Sequence, residues 1–209
     1  MKTVNPESWN RKEYFDFFSK FDEPFFGIVT EIDCTEAYRI VKENNYSFFA
    51  FYLHKSISAI NKIPEFRYRI NNNEIVVYDK IHVSPTIGRD DGSFGFAFLH
   101  YDDDFQVFSR SLSAETERVQ NSTGLGLGEN EMRNDVAHCT SVPWIKFTGV
   151  THARQFKYAD SIPKIAFGKA WKSGDRMVLP TSINVHHGFL DGFHVAKYLE
   201  LFQKLMNGE

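Results

Sequence analysis

The run His186-His187-Gly188-Phe189-Leu190-Asp191-Gly192 gathers the side chains in this sequence best suited to proton chemistry. An imidazole titrates near pH 6.5, so one aimed at a cavity can take a proton from a substrate hydroxyl near neutrality. Residues 183–187 alternate as a strand does, and strand neighbours face opposite sides of a sheet. His186 and His187 therefore point apart. With Ile183 and Val185 turned to the core, His187 shares their side and reaches the interior or a channel cut through it. Gly188 and Gly192 free the backbone where the strand gives way to a helix. Asp191 falls at the start of that helix, where it suits capping and the helix dipole.

Three chemistries compete for these residues. Two histidines at a strand end can be purely structural, satisfied by hydrogen bonds. His186, His187, Asp191 and His194 also lie close enough in sequence to suggest zinc, since imidazole is a good ligand. The opposed facing of His186 and His187 makes a shared metal awkward, and no cysteine or spaced carboxylate completes the set. The third chemistry is general-base catalysis on a hydroxyl. A phosphate loop at Gly124, Gly126 and Gly128 finds no support, because no GK[ST] ending follows them.

The elements that must position this run are legible from periodicity. Residues 9–18 predict an aromatic-rich helix capped by Ser8, residues 25–33 a strand, and residues 35–44 a helix. Residues 47–63 predict a buried helix stopped by Pro64. Residues 66–70 and 74–78 flank Asn71-Asn72-Asn73 as a hairpin, and residues 81–87 and 94–100 predict further strands. A helix is expected over 102–121 and a loop over 122–130, with Asp102-Asp103-Asp104 a solvated helix start or loop. Strands over 142–150, 165–171 and 177–187 follow, the last two joined at Ser173-Gly174-Asp175. An amphipathic helix over 192–206 closes the chain. One domain over residues 1–209 is expected, of α/β class, with a mixed sheet and packed helices.

Composition narrows the function. Of 209 residues, 24 are Lys or Arg and 27 Asp or Glu, a net charge of −3. Nucleic-acid coverage needs a cationic surplus, so no nucleic-acid partner is expected. The longest apolar run, 48–53, is too short to span a bilayer, and residues 1–7 lack the apolar stretch of a signal peptide. Cys34 and Cys139 show no metal spacing or disulfide framework. A cytoplasmic protein without a membrane partner is expected. Aromatic residues make up 16 %, with 21 phenylalanines, which predicts an aromatic core or pocket.

His187-x-x-x-Asp191-Gly192 resembles the signature of the CoA-dependent acyltransferases. The longer run from Asn184 to Val195 resembles their chloramphenicol acetyltransferase branch, including the trailing Phe193-His194-Val195. Trp9-Asn10-Arg11-Lys12-Glu13, Pro64-Glu65-Phe66-Arg67 and Ser141-Val142-Pro143-Trp144 match in the same order, so the resemblance spans nearly the whole chain. No lipoyl segment points to the dehydrogenase-complex branch. The resemblance implies a two-layer α/β sandwich, a homotrimer with active sites between subunits, and acetyl-CoA as co-substrate with no metal. It makes His187 the general base that accepts the proton of a hydroxyl on chloramphenicol or a related small molecule. It makes Ser141 the donor to the oxyanion, and pairs Asp191 with Arg11 to hold the site in place. Phe18 matches an aromatic lining the acceptor pocket. Trp144 matches one beside the serine, in the substrate-binding set but structural rather than chemical in role. No acetyl-enzyme is implied, so both substrates bind together.

Two stretches depart from that family. Arg89-Asp90-Asp91-Gly92-Ser93-Phe94 stands where chloramphenicol-acetylating members carry Thr-Glu-Thr-Phe, and Ala166 stands where they carry a threonine. These departures put the acceptor in question more than the reaction. They also motivate an alternative, a non-catalytic trimeric binding protein for a hydrophobic small molecule. A metal-dependent hydrolase using His186, His187 and His194 is the third possibility.

Overall fold

The computed structural model describes residues 1–126, 128–130, 132–154 and 159–209. In chain order its strands and α-helices are β1 (Lys2–Thr3), α1 (Lys12–Phe18), β2 (Phe25–Asp33), α2 (Thr35–Asn44), α3 (Phe48–Asn61), β3 (Tyr68–Asn71) and β4 (Glu74–Val77). Then come β5 (His82–Gly88), β6 (Phe94–Phe96), α4 (Phe105–Gln120), β7 (Val136–Ser141), β8 (Lys164–Phe167), β9 (Trp171–Ser173), β10 (Arg176–His186) and α5 (Gly192–Met206). Side-chain caps start α3, α4 and α5. Ser47 accepts from the Ala50 amide at α3, and Asp104 accepts from the Gln106 and Val107 amides at α4.

The main sheet runs β2-β10-β8-β7-β5-β6, with β9 continuing alongside β10, and a small sheet runs β1-β4-β3. β10 is antiparallel to β2 and β8, whereas β7 is parallel to both β8 and β5. The sheet is therefore mixed, as expected. Alternation decides which residues meet the helices. Ala137 and Cys139 of β7, Ile165 and Phe167 of β8, and Ile183 and Val185 of β10 join the buried core with Leu53, Ile57 and Phe202 of the helices. Phe167 is fully buried, its ring 4.7 Å from that of Tyr52 and 6.1 Å from that of Phe202. Residues of opposite parity, among them Ser84, His138, Thr140, Lys164, Ala166 and Asn184, belong to the second face.

Several elements depart from the sequence pattern, each for a local reason. The strand expected over 142–150 is absent; the strand there is β7, which ends at Ser141, before Pro143. Proline cannot donate to a ladder, and the apolar Trp144 and Ile145 imitate a strand while standing 76 % and 55 % exposed. The segment expected over 165–171 is two strands with Gly168 between them, where a side chain would come within 3.0 Å of the Pro180 side chain and the Ile145 carbonyl. The first helix begins at Lys12 rather than Trp9, and Ser8 does not cap it; Pro6–Ser8 form a short 3-10 turn instead. Residues 64–67 are likewise 3-10, and β3 starts at Tyr68. The hairpin turn holds Asn72 and Asn73 at φ 49° and 65°, a region asparagine tolerates. Past Phe96 the expected strand survives only as a bridge from Leu99 to Val83. No described helix is long and apolar enough to cross a membrane.

One buried cation ties β3 to β7. Arg69 is 1 % exposed, and its guanidinium donates to the carbonyls of Phe66, Tyr68, Asn134 and Val136 at 2.7–2.8 Å. Burial pulls its pKa down to about 10, which leaves it charged at neutral pH. The start of β7 hangs on this residue. Arg69→Met should lower stability by on the order of 3 kcal/mol in urea unfolding, because buried carbonyls lose their donor. A loss under about 0.5 kcal/mol, the range of ordinary surface changes, would show that the clamp is dispensable.

Candidate active site

The strand-to-helix corner after β10 is held by one guanidinium. Arg11 is 6 % exposed. Its Nη1 donates to Asp191 Oδ2 at 3.1 Å, its Nε to the Gly188 carbonyl at 3.3 Å, and its Nη2 to the His187 carbonyl at 3.4 Å. This commitment explains why Arg11 stands at the N-cap of α1 without capping it by its side chain. Asp191 also caps α5: Oδ1 accepts from the Phe193 amide at 3.0 Å, and the Asp191 amide closes the capping box by donating to His194 Nδ1 at 3.2 Å. Burial alone would raise the Asp191 pKa, but the hydrogen bond from Arg11 and the neighbouring charges of His194 and Arg11 outweigh it and hold it low. The carboxylate is thus ionised and fully engaged in holding the corner.

His186 and His187 do point apart. His186 is 2 % exposed, packed against Phe15, Phe25 and Phe189, and its Nδ1 accepts from the Gly188 amide at 3.1 Å. Burial, then the charge of Arg154, push its pKa down to about 4, so it is neutral at physiological pH. His187 is partly exposed. Its ring lies flat on Phe18, with centroids 3.9 Å apart and planes 5° from parallel, and Phe26 closes in at 4.6 Å. Its Nδ1 is buried with no hydrogen-bond partner among the described residues, which leaves Nε2 as the nitrogen able to serve a substrate. The two phenyl rings fix the plane of the imidazole, and Arg11 fixes its backbone. His194 instead closes the capping box of α5 beside Asp191, and its Nε2 faces Glu65 at 3.7 Å. Among the described residues no group of three or more His, Cys, Asp or Glu is arranged to hold a metal.

The hydroxyl expected beside the oxyanion, that of Ser141, sits at the other end of the sheet. Ser141 pairs with Phe167, and Phe167 with Thr181, so Ser141 stands level with Thr181 on β10. His187 lies six positions past Thr181, just beyond the end of β10, about 20 Å away at roughly 3.3 Å per residue. One copy of the chain cannot bring the imidazole and the serine together. A cavity of about 640 Å³ opens on the Ser141 side, lined by Phe94, Phe96, His138, Thr140, Ser141 and Trp144 among others, and His187 is not part of its lining. Trp144, placed in the substrate-binding set from the sequence, is a largely exposed wall of this cavity. Phe18, read as an acceptor-pocket residue, lies against His187 rather than in this cavity.

Ser141 and Thr140 divide between the two faces. Ser141 shares the parity of Ala137 and Cys139, and its Oγ is 3.0 Å from the hydroxyl of the buried Tyr52 on α3. Thr140 faces the other way, level with Ala166 on β8. Sequence reasoning missed Thr140, His138 and Phe26. The apolar alternation of Ala137, Cys139 and Ile165 carried the signal for the first two, hidden once the strand was set at 142 rather than 136.

Comparison with known proteins agrees with this architecture. A family model described as chloramphenicol acetyltransferase matches residues 1–203. A chloramphenicol acetyltransferase of Clostridium perfringens is 29 % identical over 206 residues, covering 98 % of this chain and 97 % of its own length. Chloramphenicol acetyltransferase 2 of Escherichia coli is 27 % identical over 201 residues, covering 96 % and 94 %. A solved chloramphenicol acetyltransferase superposes with a TM-score of 0.93 at 30 % identity, over 99 % of this chain and all of the other. A probable dihydrolipoamide acetyltransferase from Listeria monocytogenes shares the fold alone, with a TM-score of 0.69 at 17 % identity, over 98 % of this chain and 93 % of its own. With the mixed sheet, the clamped His187 corner and a match across almost its whole length, the chain belongs to the chloramphenicol acetyltransferase family and is an acyltransferase.

Proposed function

We propose that this protein transfers acetyl from acetyl-CoA to a hydroxyl of chloramphenicol or a related small molecule, through a ternary complex. Active sites form where His187 of one copy meets the cavity of a neighbouring copy in a homotrimer, and the chain acts as one domain. The observation that carries this reading is the fixed, partly exposed imidazole of His187, set about 20 Å along the sheet from the hydroxyls it would need.

In this reading Nε2 of His187 accepts the acceptor's proton as its oxygen attacks the thioester carbonyl. The C–O bond forms, the carbonyl electrons move onto oxygen, and a hydroxyl of the neighbouring copy donates to that oxyanion. Collapse of the intermediate breaks the C–S bond, and CoA leaves as a thiol with the proton His187 gives back. The imidazole forms no bond to carbon. Arg11 and Asp191 transfer no proton; they hold the corner. The family resemblance assigns the oxyanion donor to Ser141, while the facing of β7 favours Thr140, since the Ser141 hydroxyl is engaged by Tyr52. Phe18 orients the base, and Trp144 walls the substrate space. The reaction belongs in the cytoplasm, where acetyl-CoA is made and where the free thiols of Cys34 and Cys139 stay reduced.

Release of CoA thiol with chloramphenicol as first acceptor tests this directly. His187→Ala should lower kcat/KM at least about a hundredfold, the usual scale for a general base. Unchanged turnover in that variant would remove the general-base role. Acceptor binding by the wild type with no acetylation under saturating acetyl-CoA would favour a binding protein instead. Separately, Thr140→Val and Ser141→Ala should differ. Removal of the true oxyanion donor should cost about a hundred- to a thousandfold in kcat. Removal of the other should cost less than about tenfold, and equal small losses would exclude both.

A further inference from the structure

Strand register sets a row of side chains across the floor of the cavity. Ser84 of β5 pairs with His138 of β7, and His138 with Lys164 of β8. Neighbouring strands lie about 5 Å apart, so these three stand side by side on the second face. Lys164 is already committed: its ammonium binds the Asp160 carboxylate and donates to the Ile162 carbonyl at 3.1 Å. His138 is not. Its imidazole reaches the cavity and makes no hydrogen bond or ion pair with any described residue. The cavity walls, followed by the charge of Lys164, lower its pKa from the ordinary imidazole value, so the ring is neutral at physiological pH. A neutral imidazole presents one N–H and one lone pair. Both are available to an occupant of the cavity.

The rest of the cavity defines what that occupant looks like. Phe94, Phe96, Phe98 and Trp144 give it an aromatic wall, suited to a flat apolar ring. Thr140 lies two residues beyond His138 on the same face of β7, about 7 Å away. If the reacting carbonyl sits at the Thr140–Ser141 end, a molecule on the aromatic wall reaches His138 with a second polar group several bonds from its reacting hydroxyl.

We propose that His138 selects the acceptor by exchanging hydrogen bonds with a second hydroxyl or an amide on an aromatic alcohol, remote from the hydroxyl that is acetylated. This inference rests on the acetyl-transfer reading and adds to it a residue that sets acceptor specificity. His138 is a binding residue here; it takes no part in proton transfer to the reacting oxygen.

Steady-state kinetics of the full-length protein with saturating acetyl-CoA separate the possibilities. Chloramphenicol, which has the second polar groups, is compared with 3-phenyl-1-propanol, which has none. His138→Ala should raise KM for chloramphenicol about tenfold, the scale of one or two lost hydrogen bonds, with little change in kcat. KM for 3-phenyl-1-propanol and for acetyl-CoA should stay within about twofold of wild type, which also shows the variant is folded. His138→Gln, which keeps a donor and an acceptor, should recover most of the chloramphenicol KM. An equal loss with both acceptors, or no change with either, in an active wild-type background would overturn the inference and leave the acetyl-transfer reading standing. A wild type that acetylates neither compound would remove both.

Discussion

The corner that carries His187 exists because Arg11 binds it. The guanidinium of Arg11, a residue only 6 % exposed, spends its donors on the carbonyls of His187 and Gly188 and on the Asp191 carboxylate. Strand β10 must stop, turn and start α5 within a few residues, and that leaves backbone carbonyls without strand or helix partners. Arg11 satisfies them from α1, far away in sequence, while Asp191 supplies both the counter-charge and the helix cap. An arginine fits because its planar fork reaches several acceptors at fixed angles, which a lysine ammonium cannot copy. The imidazole inherits its position from this anchor and its orientation from the face of Phe18.

The sheet carries the second constraint. Its register puts the clamped histidine at one end and the Thr140–Ser141 hydroxyls at the other, so the chemistry proposed here requires surfaces from two copies. The aromatic surface around these regions fits that requirement. Tyr14, Phe17 and Phe21 near His187, and Phe94, Trp144 and Ile145 around the cavity, are all about half exposed or more. Apolar rings at the mouth of a site exclude water once covered, and each hydrogen bond to a developing charge strengthens as water leaves. Parity then divides labour within β7. Ala137 and Cys139 anchor the strand to the helices, and their neighbours His138 and Thr140 face the second side of the sheet.

Much of this was legible from residue types and spacing. The opposed facing of His186 and His187, the end of α3 before Pro64, the Gly174 hairpin and the span of α5 followed from alternation, helical period and turn chemistry. The pairing of Arg11 with Asp191 came only from family resemblance, because nothing local in residues 9–13 says where a guanidinium will go. The misplacement of β7 had the larger consequence. Trp144 and Ile145 look like strand residues to any local rule, yet the strand lies upstream, interrupted by the polar His138 and Thr140 whose polarity serves the cavity. Local hydrophobicity cannot distinguish an apolar residue that fills a core from one that walls a cavity. That distinction is made by register with β8 and β5, which is a long-range property.

Mixing subunits tests the two-copy site most directly. His187→Ala chains and chains with both Thr140→Val and Ser141→Ala are each assembled alone and then co-assembled in equal amounts, and CoA release is followed. If every site takes its histidine from one copy and its hydroxyl from another, random mixing leaves about a quarter of the sites with both groups intact, and activity returns to about that fraction of wild type. If the mixture is no more active than its separate components, the imidazole and the hydroxyl do not come from different copies, and the arrangement proposed here is wrong.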